Sequence, residues 1–96
     1  MIVDLVTFRV KNGKEQEFEA LNQDALKLMR RSRGFISQVM LRSLEDPGEY
    51  HAEVRWVSKE YRDRFTARAD SDTTALIQRG ASILESAPAH RLLEPV

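Results

Sequence analysis

His51 is followed at two-residue steps by Glu53 and Arg55, the spacing that puts three ionisable side chains on one face of a strand. A histidine beside a carboxylate can act as a general base at neutral pH. The same stripe more commonly forms salt bridges and hydrogen bonds between subunits, and burying its charges is tolerable only when they are paired. Tyr61 is the second side chain considered for catalysis. It lies four residues before Phe65, so the two share a helix face and can line a pocket with Trp56. An aromatic stripe of that spacing more often supplies plain core, and Trp56 at a strand end has the same ordinary use. Asn22, on the apolar stripe of a helix, can orient a substrate oxygen or simply face water. Tyr50 can likewise bind a phenolic substrate or reach solvent.

Other reaction classes lack their residues. The chain has no cysteine, which excludes disulfides, thiolate nucleophiles and cysteine-ligated zinc or iron–sulfur centres. His90 is a lone histidine near the C-terminus, and two histidines without a third ligand at recognisable spacing make a poor metal site. No phosphate-cradling glycine loop, nucleophile elbow, HExxH or calcium-binding loop occurs. Fifteen basic and fifteen acidic residues cancel, so a nucleic-acid or anionic-membrane surface is not expected. The runs Arg30-Arg31-Ser32-Arg33 and Arg62-Asp63-Arg64 are locally basic and can attract an acidic substrate, although solvated helix ends explain them as well. The segment MIVDLVTFRVKNGK alternates and carries Asp4, so it reads as neither a signal peptide nor a membrane span. A cytoplasmic protein is expected.

The elements that must position these residues follow from periodicity. Ile2 to Val10 reads as a strand, and Asn12-Gly13 as a turn. Phe18, Leu21, Ala25, Leu28 and Met29 form one stripe of a helix from Lys14 to about Arg31. Its acids come first and its bases last, as the helix dipole favours. Phe35 to Leu44 and Tyr50 to Val57 read as two strands joined through Asp46-Pro47-Gly48. Ser58 caps a helix running through Ala69. Asp70-Ser71-Asp72 breaks it, and a further helix runs from Thr73 to about Leu84, with Leu76, Gly80, Ile83 and Leu84 inward. Ala89 to Val96 can only be a last strand. Ninety-six residues make one domain, 1–96, and the order β-α-β-β-α-(α)-β is the split βαβ pattern. The expected fold class is α+β, ferredoxin-like, with a four-stranded antiparallel sheet and helices on one face.

Strand faces bear on assembly. Ile2, Val6, Phe8 and Val10 form one apolar side of the first strand, yet Val3 and Leu5 make the other side apolar too. In the second strand, Phe35, Val39 and Leu41 read as one side, with Ile36, Met40 and Leu44 opposite. Helices on one face leave a second apolar face wet, and a second copy of the sheet is the simplest cover. A homodimer is expected, with Trp56 grouped by parity with Tyr50, Ala52 and Val54 on the helix-covered side.

These features resemble the antibiotic-biosynthesis monooxygenase family, a branch of the dimeric α+β barrel proteins. The stretch Glu53-Val54-Arg55-Trp56-Val57-Ser58-Lys59-Glu60-Tyr61 looks like its strand-to-helix junction, Arg33-Gly34-Phe35 like its turn into the second strand, and Glu45 to Tyr50 like its hairpin. The resemblance implies a pocket between sheet and helices, where some members oxygenate phenolic or polycyclic substrates without a cofactor and others degrade haem with an Asn, a Trp and a His. Aligned on Trp56, those haem-type positions fall at Thr7, Phe65 and near Ala75, so haem degradation is not expected. A position usually held by a family Phe is Arg62. The expected function is a cofactor-independent monooxygenase-like enzyme acting on a small aromatic or quinol-type ligand, its pocket lined by Phe8, Asn22, Met29, Trp56, Tyr61 and Phe65. The alternatives are a non-catalytic dimeric ligand-binding or stress-related module, and an isomerase or lyase-type relative, since one fold hosts many chemistries.

Overall fold

A computed structural model describes all residues, 1–96. The elements are β1 (Ile2–Arg9), α1 (Glu15–Arg30), β2 (Phe35–Arg42), β3 (Glu49–Trp56), α2 (Lys59–Thr66), α3 (Ser71–Ile83) and β4 (Ala89–Leu93). The strands form one sheet in the order β2-β3-β1-β4, and each neighbouring pair is antiparallel. This is the ferredoxin-like α+β architecture. The crossovers through α1 and through α2 and α3 leave β1 and β3 as the two central strands.

Pairing of β1 with β3 sets Ile2 opposite Trp56, Asp4 opposite Val54, Val6 opposite Ala52 and Phe8 opposite Tyr50. Directly opposed residues share a face, and this row is the covered one: Val6, Ala52, Val54, Trp56 and Tyr50 are all buried. Two clusters pack beneath the helices. Val10, Phe18, Leu21, Tyr50 and Ile83 make one; Val6, Ala52, Val54 and Trp56 make the other, with Met29, Phe35, Tyr61 and Phe65 packed against it. Trp56 therefore sits on the helix-covered face, its ring 5.3 Å from Phe65 and 5.7 Å from Phe35.

The second strand departs from simple alternation. A bulge between Phe35 and Ser37 breaks the register with β3, and one extra residue reverses the facing of everything beyond it. Phe35 consequently lies opposite Trp56 while Gln38 lies opposite Val54 and Met40 opposite Ala52, all on the covered face. Val39 and Leu41 pair with Glu53 and His51 on the other face. The expected grouping of Phe35 with Val39 and Leu41 is thus corrected, because period-two counting cannot register an inserted residue.

The helix ends follow local chemistry. Glu15 and Glu17 open α1, Lys27 and Arg30 close it, and each charge complements the adjacent end of the dipole. Ser58 caps α2, accepting from the Tyr61 N–H. Asp70 is not a breaker but the N-cap of α3, accepting from the Thr73 N–H at 2.9 Å, so that helix starts at Ser71 rather than Thr73. Gly34, at φ +84°, has Tyr61 stacked where a Cβ would stand, and only glycine meets both demands without strain.

Candidate functional site: an apolar cavity with two polar ends

A cavity of about 610 Å³ lies between the sheet and the helices, within the range typical of small-molecule sites. Val6, Phe8, Ala52 and Val54 form its floor; Leu21, Asn22, Ala25 and Met29 come from α1, Thr73, Leu76, Ile77 and Gly80 from α3, with Trp56 and Phe65 at one side. The space exists because the central floor positions carry the short side chains of Ala52 and Val54.

Polar groups collect at two places. On the β2 side, Asn22 Nδ2 donates to Gln38 Oε1 at 3.2 Å and Gln38 Nε2 donates to Asn22 Oδ1 at 3.0 Å. This closed amide pair exists only because the bulge turns Gln38 inward. Across the sheet, Asp4 occupies the same row as Gln38, with Val54 between them; two strand spacings separate their backbones by roughly 10 Å. Asp4 is 3% exposed and accepts from Arg62 Nε at 2.9 Å. Its two carboxylate oxygens also lie 3.0 and 3.1 Å from His90 Nδ1. Burial alone would lower the Arg62 guanidinium, but its hydrogen bonds to Asp4 and Asp63 outweigh this and hold it above its ordinary value. A third feature is the Thr73 hydroxyl. Thr73 lines the cavity, and its buried hydroxyl lies close enough to the Asp70 carboxyl to help hold it down, without a well-aligned hydrogen bond.

Of the residues singled out from sequence, Phe8, Asn22, Met29, Trp56 and Phe65 line this cavity. Tyr61 does not: its ring is wedged against Gly34 behind the Trp56 cluster, with Arg64 over its face. His51 is on the opposite face of the sheet. Its Nδ1 lies 3.1 Å from Thr7 Oγ1 and its Nε2 3.3 Å from Glu49, so it cannot reach a ligand in the cavity. Tyr50 donates to Glu19 at 2.7 Å; burial and then that carboxylate push the phenol upward, and it borders a separate hollow of about 250 Å³. No three His, Asp or Glu side chains are arranged to hold a metal ion. Asp4 is the residue that sequence reading undervalues. Its signal is parity: one acid on the face otherwise made by Ile2, Val6 and Phe8 must find partners when that face is buried.

Fold and cavity together define a ferredoxin-like α+β domain with an apolar ligand chamber under its helices. The family is settled by sequence: the antibiotic biosynthesis monooxygenase profile matches residues 1–77, and the chain belongs to that family. Solved structures agree at the level of fold. SnoaB, a cofactor-independent oxygenase from Streptomyces nogalater, superposes with a TM-score of 0.86 at 18% identity, over 99% of this chain and 92% of that one. A candidate antibiotic biosynthesis monooxygenase from Bordetella bronchiseptica gives 0.82 at 23% identity, over 99% and 96%. Rv0793 from Mycobacterium tuberculosis gives 0.81 at 18%, over 99% and 94%. No curated protein sequence matches the chain. No helix is long and apolar enough to cross a membrane.

Proposed function

We propose that this protein is a cofactor-independent monooxygenase acting on a small aromatic or quinol-type substrate, and that it works as a homodimer. The observation that carries the reading is the chamber itself: about 610 Å³ and mostly apolar, with the Asn22–Gln38 pair on the β2 side, the Asp4–His90 pair across the sheet, and Thr66, Thr73, Glu85 and Ser86 as the other polar lining residues. Such a site holds a flat apolar ring system and leaves its oxygens at defined edges. Family membership and the oxygenase activity named for SnoaB support the same class of reaction.

The chemistry asks little of a cofactor when the substrate is electron-rich. Loss of a phenolic proton leaves an anion that can reduce dioxygen directly. One oxygen atom then bonds to a ring carbon that loses its hydrogen, and the other leaves as water, so a phenol and dioxygen become a quinone and water. The protein's part is to exclude bulk water, align the ring and take the first proton. In this reading Phe8, Met29, Trp56 and Phe65 enclose the ring, Asn22 meets a substrate oxygen through its amide pair, and Tyr61 supports the wall from behind. Of the haem-type positions only Phe65 lines the chamber, and its phenyl in place of the family's Trp supports a substrate other than haem; Thr7 faces the open side beside His51.

Homodimerisation is supported by the face opposite the helices. Val39 and Leu41 remain 44% and 45% exposed in the single chain, beside Val3 and Leu5 across the sheet, and a second copy would cover them.

Turnover of a panel of phenols, hydroquinones and anthrones under isotopically labelled dioxygen tests the proposal, with the purified protein and no added metal or cofactor. One labelled oxygen per product, formed faster than by autoxidation, is expected. Tight binding of these aromatics without product would instead establish the non-catalytic binding module.

A further inference from the structure

Every part of the proposed chemistry has a residue except the acceptor of the first proton. We infer that His90 is that acceptor, oriented by Asp4 and anchored through Arg62. The inference rests on reading the cavity as an aromatic-substrate site.

Geometry assigns the roles. His90 borders the cavity on β4, opposite Val6 of β1, with its side chain 39% exposed. Its Nδ1 is 3.0 and 3.1 Å from the Asp4 carboxylate oxygens. A carboxylate only accepts, so Nδ1 carries the hydrogen and donates it. The neutral ring then keeps its lone pair on Nε2, and no residue of the chain hydrogen-bonds to that nitrogen. This is the arrangement by which a buried carboxylate fixes a histidine's tautomer and favours the imidazolium once it forms. Asp4 is held in turn: its side chain is 4% exposed and Arg62, itself only 15% exposed, donates to it from α2 at 2.9 Å. Arg62 is therefore a positioning residue, and so is Asp4.

The step balances without an added reagent. The substrate O–H bond breaks, an N–H bond forms at Nε2, and the electron pair stays on the phenolic oxygen. The resulting phenolate and imidazolium face each other across the new hydrogen bond, with Asp4 on the imidazolium's far side. The charged groups near the ring are Asp4 from β1, Arg62 from α2 behind Asp4, and Glu85 from the segment before β4 that borders the same cavity. His90 lies beyond residue 77, where the family profile ends. The assignment accordingly comes from this chain's own geometry.

The test uses para-nitrophenol, whose deprotonated form alone absorbs strongly in the visible. The bound probe is titrated on the wild type, on His90→Gln and on His51→Gln, with circular dichroism confirming that each is folded. The probe on the wild type should reach half-deprotonation about one pH unit lower than on His90→Gln, the size of shift an opposite charge produces at hydrogen-bond distance. His51→Gln should titrate like the wild type. His90→Ala should regain bound phenolate when imidazole is added, a rescue that a structural role would not give. Equal titration on the wild type and His90→Gln, or no rescue in His90→Ala, overturns the assignment while leaving the cavity reading in place. Failure of the probe to bind the wild type removes both.

Discussion

The two faces of the sheet carry one histidine each, and the two are used in opposite ways. On the covered face, His90 has one ring nitrogen tied to the buried Asp4 and the other unpartnered beside a cavity. On the open face, His51 has both nitrogens occupied, one at 3.1 Å from Thr7 and the other at 3.3 Å from Glu49. Residue type is the same and strand context is similar. What differs is the face: the rings are similarly exposed, 39% for His90 and 34% for His51, but one borders the apolar cavity and the other a polar stripe. Around His51 the partners are Thr7 and Glu49, next to an Arg55–Glu53 ion pair on the same face. Around His90 they are a carboxylate and a guanidinium withdrawn from water. Only the second setting gives a base with a fixed tautomer and a substrate-sized volume beside it.

The contrast between faces sets an order of expected effects. Trp56→Ala should be the most damaging single change, costing about 3–5 kcal/mol in urea unfolding because it empties a fully buried indole site. A cost under about 1 kcal/mol would mean that the covered face is not the core. Next comes the amide pair. Asn22→Leu alone should cost about 1–3 kcal/mol by stranding the Gln38 amide, whereas Asn22→Leu with Gln38→Met should cost less than the single change. Strict additivity of the two would show that the pair does not act as a unit. On the open face, Leu41→Lys should leave the monomer's fold intact but weaken self-association at least about tenfold, or roughly 1.4 kcal/mol, measured by sedimentation. A wild type that is monomeric at every accessible concentration would break this side of the comparison.

The smallest effect is at the N-cap of α3. The Thr73 N–H, and then Arg68, hold the Asp70 carboxyl down from 3.8 to about 2. The folded value is depressed, so the stabilisation is present above the ordinary carboxylate value. It is lost as the pH falls from about 4 to about 2. Thermal melts across that window should show a shallower acid-side decline for Asp70→Asn than for the wild type. Parallel declines would mean that the cap of α3 does not titrate as its geometry implies.

How much of this was legible from residues alone differs between fold and site. The split βαβ order was readable because Phe18, Leu21 and Leu28 keep helical spacing while Tyr50, Ala52, Val54 and Trp56 alternate cleanly. The bulge at Phe35–Ser37 was not, since an inserted residue leaves no mark on composition and shows only as a changed register. That one residue put Gln38 beside Asn22 and moved Phe35 to the Trp56 side. The site was harder still. His90 looked solitary because its partner is 86 residues away in the chain, and Asp4 looked like a mere interruption of an apolar strand. His51 drew attention because Glu53 and Arg55 at alternate positions are visible in sequence, yet its ring is engaged by Thr7 and Glu49 on the face away from the cavity. Long-range pairing across β1 and β4 made the candidate site, and no local pattern encodes it.

Methyl-labelled protein titrated with a naphthol and followed by NMR tests the central claim directly, because ring currents report which face the aromatic occupies. Methyl signals of Val6, Ala52, Val54 and Leu76 should move on binding, while those of Val3, Leu5, Val39 and Leu41 stay in place. Shifts confined to the second group, with the first unmoved, would put the ligand on the open face and contradict the account.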